Sequence, residues 1–104
     1  MPTLRFVWDE NKNRSNTRKH GVSFEIAARV FADPFAVSEQ DRIEGGELRW
    51  QTLGMVEGYV LLLVAHTVRE EDEEGGIVEI VRIVSARRAT RQERHRYEEE
   101  GWNR

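Results

Sequence analysis

The 104-residue chain is 34% charged, carries a net charge of −3 and contains no cysteine. That length suits a single domain over residues 1–104, above the size at which disulfides or a metal become necessary for folding. The missing cysteines exclude disulfides and thiolate metal sites, and the negative net charge argues against a protein that coats nucleic acid indiscriminately. The longest apolar run, Val60–Ala65, is strand-sized and far short of a bilayer span. Met1–Arg5 leads directly into Phe6-Val7-Trp8 with no signal-peptide core, so a cytoplasmic location is expected.

The modest net charge hides a segregation. Residues 1–20 hold five Lys/Arg against Asp9 and Glu10, and residues 82–96 hold six Arg against Glu93. The stretch 67–79 holds Arg69 against six acids. Such a pattern fits a polyanion-binding face with an acidic opposite side, although a solvated surface with scattered charge has the same composition.

In chain order, Leu4–Val7 reads as a short strand. Asp9 is an N-cap for a helix running to about Lys19, closed by His20-Gly21, where glycine supplies the left-handed position after the last turn. Ser23 caps a second helix with Phe24, Ala27, Ala28 and Phe31 on one apolar face, and Asp33-Pro34 stops it. A weaker strand is expected at Phe35–Asp41. Glu44-Gly45-Gly46-Glu47 turns the chain into Arg49–Met55, and Gly58 turns it again into Tyr59–Val68. Glu70–Gly76 is read as an exposed acidic loop leading to a strand at Ile77–Val84. Thr90-Arg91-Gln92-Glu93 matches a capping box and opens a last helix ending near Gly101. The expected order is β-α-α-β-β-β-β-α. That is an α+β domain with a mainly antiparallel sheet of about four to five strands, two N-terminal helices and one C-terminal helix.

Three features carry chemistry. Lys12, Asn16, Lys19 and His20 share one face of the first helix, a stripe of donors suited to phosphate contacts and equally to plain solvation. His66 ends an apolar strand, where it serves either as a packed histidine or as a general acid or base projecting into a cleft. Arg82 interrupts an apolar strand, Arg87 and Arg88 follow at its end, and Arg91 and Arg94 continue on the last helix. Arginine stays charged and binds phosphate bidentately, so this segment can clamp a phosphodiester. His95 is expected on the surface. His20, His66 and His95 have no metal-ligand spacing, so no metal and no cofactor are expected. A kit of His, Lys, Arg and Tyr can cleave RNA without metal: a base deprotonates the 2′-hydroxyl, cations stabilise the phosphorane, and an acid protonates the 5′-oxygen.

Phe6-Val7-Trp8-Asp9-Glu10-Asn11-Lys12, Asn16, Lys19-His20-Gly21-Val22-Ser23-Phe24 and Phe31-Ala32-Asp33-Pro34 resemble the BrnT family of toxins. His66-Thr67, Arg82 to Ala89, Glu93 and Tyr97 carry the resemblance onward, so it spans about residues 6 to 97. It implies a RelE-like fold and a ribonuclease toxin of a type II toxin–antitoxin module that inhibits translation. It also implies a ribbon-helix-helix, BrnA-like antitoxin in a 2:2 heterotetramer, with operator DNA bound only through that antitoxin. The resemblance carries over Lys19, His20, His66, Arg82, Arg87 and Arg88 as the site; together with the charge pattern, the expectation is that His66, Arg82 and Arg87 are catalytic and that Lys12, Lys19, His20, Arg88 and Arg91 contact RNA. The acidic stretch Glu70–Gly76 departs from the tight turn expected there, and would either hinder RNA binding or serve the antitoxin interface. The competing class is a non-catalytic module that binds antitoxin or RNA with the same residues.

Overall fold

The computed structural model describes residues 3–58 and 60–102, Trp102 by its backbone alone. Tyr59, expected to open a strand, lies outside the described residues. The elements are β1 (Thr3–Val7), α1 (Glu10–His20), α2 (Phe24–Ala27) with a following 3-10 turn (Ala28–Ala32), β2 (Val37–Glu44), β3 (Glu47–Val56), β4 (Val60–Glu73), β5 (Gly76–Arg88) and α3 (Arg91–Trp102). The order is the expected β-α-α-β-β-β-β-α.

The helix boundaries follow from the capping chemistry. The Asp9 carboxylate accepts from the N–H groups of Asn11 and Lys12, and Gly21 closes α1 at φ 71°. Ser23 Oγ accepts from the Ile26 N–H. Thr90 Oγ1 accepts from the Glu93 N–H while the Glu93 carboxylate accepts from the Thr90 N–H, a complete capping box. The second helix is shorter than its apolar face predicts. One turn of α-helix tightens into a 3-10 turn, whose last residues abut Asp33-Pro34. Asp33 then ties three elements together. Its carboxylate accepts from the N–H of Phe35 at 2.9 Å, the N–H of Met55 at 2.8 Å and the Tyr97 hydroxyl at 2.6 Å.

The five strands form one sheet in the order β1-β5-β4-β3-β2, antiparallel throughout except that β1 runs parallel to β5. Side chains alternate across a strand, so the pairing register assigns each residue to a face. Val56, Leu62, Val64, Val81, Ile83 and Ala86 face Val22, Phe24, Ala27 and Val30; this is the α1 face. Leu53, Leu61, Leu63 and Val37 face Tyr97 of the last helix; this is the α3 face.

Two expectations are corrected. The acidic stretch Glu70–Gly76 is not a loop. β4 and β5 continue through it, with Glu70 opposite Glu79, Asp72 opposite Ile77 and Glu73 opposite Gly76. Only Glu74 and Gly75 lie in the turn, and Gly75 takes φ 102°. The ribbon tolerates its acids because they alternate between two solvent-facing sides, and on one side Arg5 pairs with Glu73 and Arg69 with Glu71. The polar stripe of α1 is also not uniform. Asn16 is only 8% exposed. Its amide donates to the carbonyls of Val22 and Ala86, and its oxygen accepts from the Ala86 N–H. β1 pairs with β5 only as far as Arg82, so Asn16 takes over as partner for the backbone beyond it. It is a joint between α1 and β5, not a phosphate contact.

Candidate functional site

The eight residues singled out in the sequence separate into three places. His66 lies on the α1 face of β4, opposite Trp50 and Ile83. It is 3% exposed. Its Nε2 is 2.7 Å from Thr52 Oγ1, which is in turn 2.7 Å from Ser38 Oγ. The Phe31 ring stands edge-on to it at 4.9 Å. Lys12 and Lys19 are exposed on α1, His20 is half-buried at its end, and Arg88 borders the same end of the α1 face beside Gly21 and Val22. Arg82 and Arg87 are on the α3 face, paired across β4 with Thr67 and Leu63. Arg91 is exposed in the first turn of α3. The two basic segments do meet, through Asn16 and Ala86, but His66 and the two β5 arginines are on opposite sides of the sheet.

Arg82 and Arg87 share a face for a local reason. They are five residues apart, which in a regular strand puts side chains on opposite faces. The β4–β5 register shifts between Ala65/Ser85 and His66/Ile83, so Val84 is an extra residue in β5 and the alternation resets there. The bulge turns both arginines toward the α3 side. Between them lies a shallow floor in the row Ser85, Ala65, Gln51 and Glu39. α3 walls one end, where Arg96 donates to Glu39 at 2.6 Å.

Each arginine has a carboxylate. Arg87 forks onto Glu93 through both nitrogens, at 2.8 and 3.0 Å. That hydrogen-bonded pair holds Glu93 below its usual pKa and raises Arg87. Arg82 pairs with Glu47 through a single nitrogen. Glu47 is more than half exposed, and its second oxygen has no hydrogen bond among the described residues. Arg49 is the third cation on this face. It precedes His66's partner Trp50 by one step of the alternation, so it stands across β4 from Arg82. It has no ion pair among the described residues, and its Nε is buried without a hydrogen-bond partner.

A family model described as the ribonuclease toxin BrnT of type II toxin–antitoxin systems matches residues 8–93. The chain belongs to the BrnT family. Its fold is similar to the crystal structure of the ribonuclease toxin BrnT from Brucella abortus. That likeness has a TM-score of 0.57 and 22% identity, and covers 86% of this chain and all of that one. No curated protein matches the chain.

Within this BrnT family member, burial gives His66 an unusual state. Desolvation lowers its pKa from 6.5 to about 4, against a weak opposing contact with the Thr67 backbone, so the imidazole is neutral at pH 7. Nδ1 is buried with no hydrogen-bond partner. Glu47 and Arg49 were missed in the sequence. Glu47 sits in a turn motif and Arg49 at a strand start, and only the cross-strand register puts them beside Arg82. No group of three or more His, Asp or Glu among the described residues has the arrangement to hold a metal ion. No described helix is long and apolar enough to cross a membrane.

Proposed function

We propose that this chain is an endoribonuclease that cleaves RNA by 2′-hydroxyl attack, without a metal, on the open part of the α3 face. The observation that carries the reading is the cluster of Arg82, Glu47 and Arg49 on one exposed stretch of sheet in a chain of a ribonuclease toxin family. Arg82 and Arg49 hold the scissile phosphate. Glu47, tied by only one of its oxygens, takes the 2′-proton. The 2′-oxygen bonds to phosphorus, the bond to the 5′-oxygen breaks, and that oxygen takes a proton from water. The products are a 2′,3′-cyclic phosphate and a 5′-hydroxyl. Glu93 suits the base role less well, because Arg87 and the Thr90 N–H already occupy both its oxygens. Arg87, with Glu93 fixing its fork, receives a flanking phosphate, and Arg91 extends that path along α3. Lys12, Lys19, His20 and Arg88 belong to the α1 side and contact RNA only away from the reacting centre. In this reading His66 is a buried polar anchor.

The same proposal makes the chain a translation inhibitor in the cytoplasm. A cognate ribbon-helix-helix antitoxin neutralises it in a 2:2 complex that reaches operator DNA through the antitoxin. The test is cleavage of a defined RNA by the purified chain in EDTA. We expect Glu47→Gln and Arg82→Ala each to lose about 100-fold or more in rate, and His66→Gln, compared per folded molecule, to stay near wild type. Full activity in both Glu47→Gln and Arg82→Ala would remove the assigned site, and activity that returns only with added metal would remove the mechanism. A non-catalytic binding module is the second reading. It draws on the ion pairs that already neutralise Arg82 and Arg87, and wild type that binds RNA yet leaves it intact would establish it.

A further inference from the structure

The two faces of the sheet differ sharply in the half that no helix covers. On the α3 face of that half the strands carry Arg5, Arg49, Arg69 and Arg82, by the register and alternation described above. The α1 face of the same half carries none of them. Its helices stop near Phe31, which packs on Phe6 at 5.3 Å. Beyond that point the face presents Ile43, Leu48, Val68, Leu4 and Ile77, all exposed, Ile43 at 72% and Ile77 at 50%. Ile43 is opposite Leu48, Val68 is opposite Val81, which is opposite Phe6, and the next rows mix apolar and acidic residues: Leu4 with Glu79 and Glu70, and Ile77 with Asp72. Five exposed large apolar side chains gathered on one face of the sheet mark an interaction surface, whereas single exposed apolar residues do not.

The charges around it point to the kind of partner. Glu70, Asp72 and Glu79 project on this face beside Leu4, Val68 and Ile77. None of the three has a hydrogen bond or ion pair among the described residues, in contrast to Glu71 and Glu73 on the other face, which hold Arg69 and Arg5. Three carboxylates left without cations next to an apolar row repel RNA and attract a cationic, amphipathic polypeptide.

We propose that this face of the sheet is where the chain's antitoxin docks, through an amphipathic segment that sets apolar side chains on the Ile43–Leu48–Val68–Leu4 rows and Lys or Arg side chains against Glu70, Asp72 and Glu79. The inference rests on the toxin–antitoxin reading and adds the surface and the chemistry of the segment. Five strands at about 4.8 Å spacing span roughly 19 Å, which a helix of about 13 residues crosses. The docking face is opposite the arginine cluster. The antitoxin therefore holds the toxin from behind with this segment, and the RNA-facing side must be masked by another part of the complex or by the bulk of the assembly.

The experiment co-expresses the chain with the antitoxin encoded beside its gene and measures affinity by titration calorimetry, with RNA cleavage by free toxin measured in parallel. In the triple variant Glu70→Lys/Asp72→Lys/Glu79→Lys, and separately in Ile77→Glu/Val68→Glu, antitoxin affinity is expected to fall about 100-fold or more, with RNA cleavage within about threefold of wild type. Arg82→Ala on the opposite face is expected to keep antitoxin affinity within about threefold. Val68, Glu70, Asp72 and Ile77 are exposed while Glu79 and Arg82 are half-buried, and a thermal melt of each variant checks its folding. The milder Asp72→Asn/Glu79→Gln keeps the test readable if a reversal variant misfolds, with a smaller loss that shrinks further at high salt. Wild-type affinity in these variants overturns the surface assignment alone. Wild type that fails to bind the antitoxin at all overturns the toxin–antitoxin reading together with it. A wild-type homodimer that Ile77→Glu/Val68→Glu dissolves gives the face to a second copy of the chain and overturns the antitoxin assignment.

Discussion

His66 sits in a box without charges: Thr52 on one ring nitrogen, the Phe31 edge on the ring, and Trp50 and Ile83 as cross-strand neighbours. Desolvation there outweighs the one contact that favours protonation, with the Thr67 backbone, which is why its pKa falls to about 4. The unfolded chain's imidazole, near 6.5, takes up a proton that the folded one refuses. Stability from this residue is therefore complete above pH 6.5 and declines as pH falls toward 4. The full loss is on the order of 3 kcal/mol. Denaturant titrations at pH 7 and pH 5 should show it, and in His66→Gln that part of the slope should vanish; an unchanged slope would mean that His66 does not titrate as its burial dictates. In the sequence, a histidine at the end of an apolar strand reads equally well as packed or catalytic. The structure shows it packed, and that burial depends on Phe31 arriving from a different element. The same holds for Asn16, whose place in a polar stripe is visible in the sequence but whose partner is seventy residues away.

At the level of elements, the signals that survive are local ones. Asp9, Ser23 and Thr90 each cap a helix with their own side chain, so three residues of sequence contain the whole interaction. What local reading cannot supply is registry. The extra residue at Val84 decides which arginines of β5 look in the same direction, and no residue in Ile83-Val84-Ser85 announces it. The acidic hairpin shows the opposite error. Composition reads as loop, while the cross-strand backbone pairing and the pairs Arg5–Glu73 and Arg69–Glu71 make it strand. The α1–β5 joint gives a measurable consequence. Asn16→Ala removes the side-chain partner of the buried Ala86 N–H and carbonyl and leaves the Val22 carbonyl only a 3.4 Å contact from the Thr17 hydroxyl, for an expected loss of roughly 2–4 kcal/mol in urea unfolding. Asn11→Ala, on the exposed side of the same helix, should stay within about 0.5 kcal/mol. Equal effects from the two would mean that the joint does not carry the contact between α1 and β5.

Across the whole molecule, the charge segregation noticed in the sequence becomes a sheet with two characters: arginines on one side, and apolar side chains with unpaired carboxylates on the other. Salt distinguishes the two. If Arg49, Arg82 and Arg87 each neutralise one phosphate of a single-stranded RNA, log affinity against log salt should have a slope of about −2, and Arg82→Ala should flatten it by about 0.7. A slope that stays the same in Arg82→Ala would place the phosphates elsewhere. Sequence supplied the excess of charge and the order of elements; the sorting of charges between faces emerged only from five strands paired in a particular order.

That strand order also constrains how the molecule comes into being. β5, which lies between β1 and β4 and brings Arg82 and Arg87, is synthesised after the other described strands, whereas its parallel neighbour β1 is synthesised before them. The β2–β3–β4 meander can assemble as it emerges, but β1 has no edge to join until about three-quarters of the chain is made. The nascent chain thus carries an incomplete sheet, without its arginine cluster, through most of its synthesis. The face we assign to RNA cannot exist until β5 is made and lies between β4, synthesised just before it, and β1, synthesised long before.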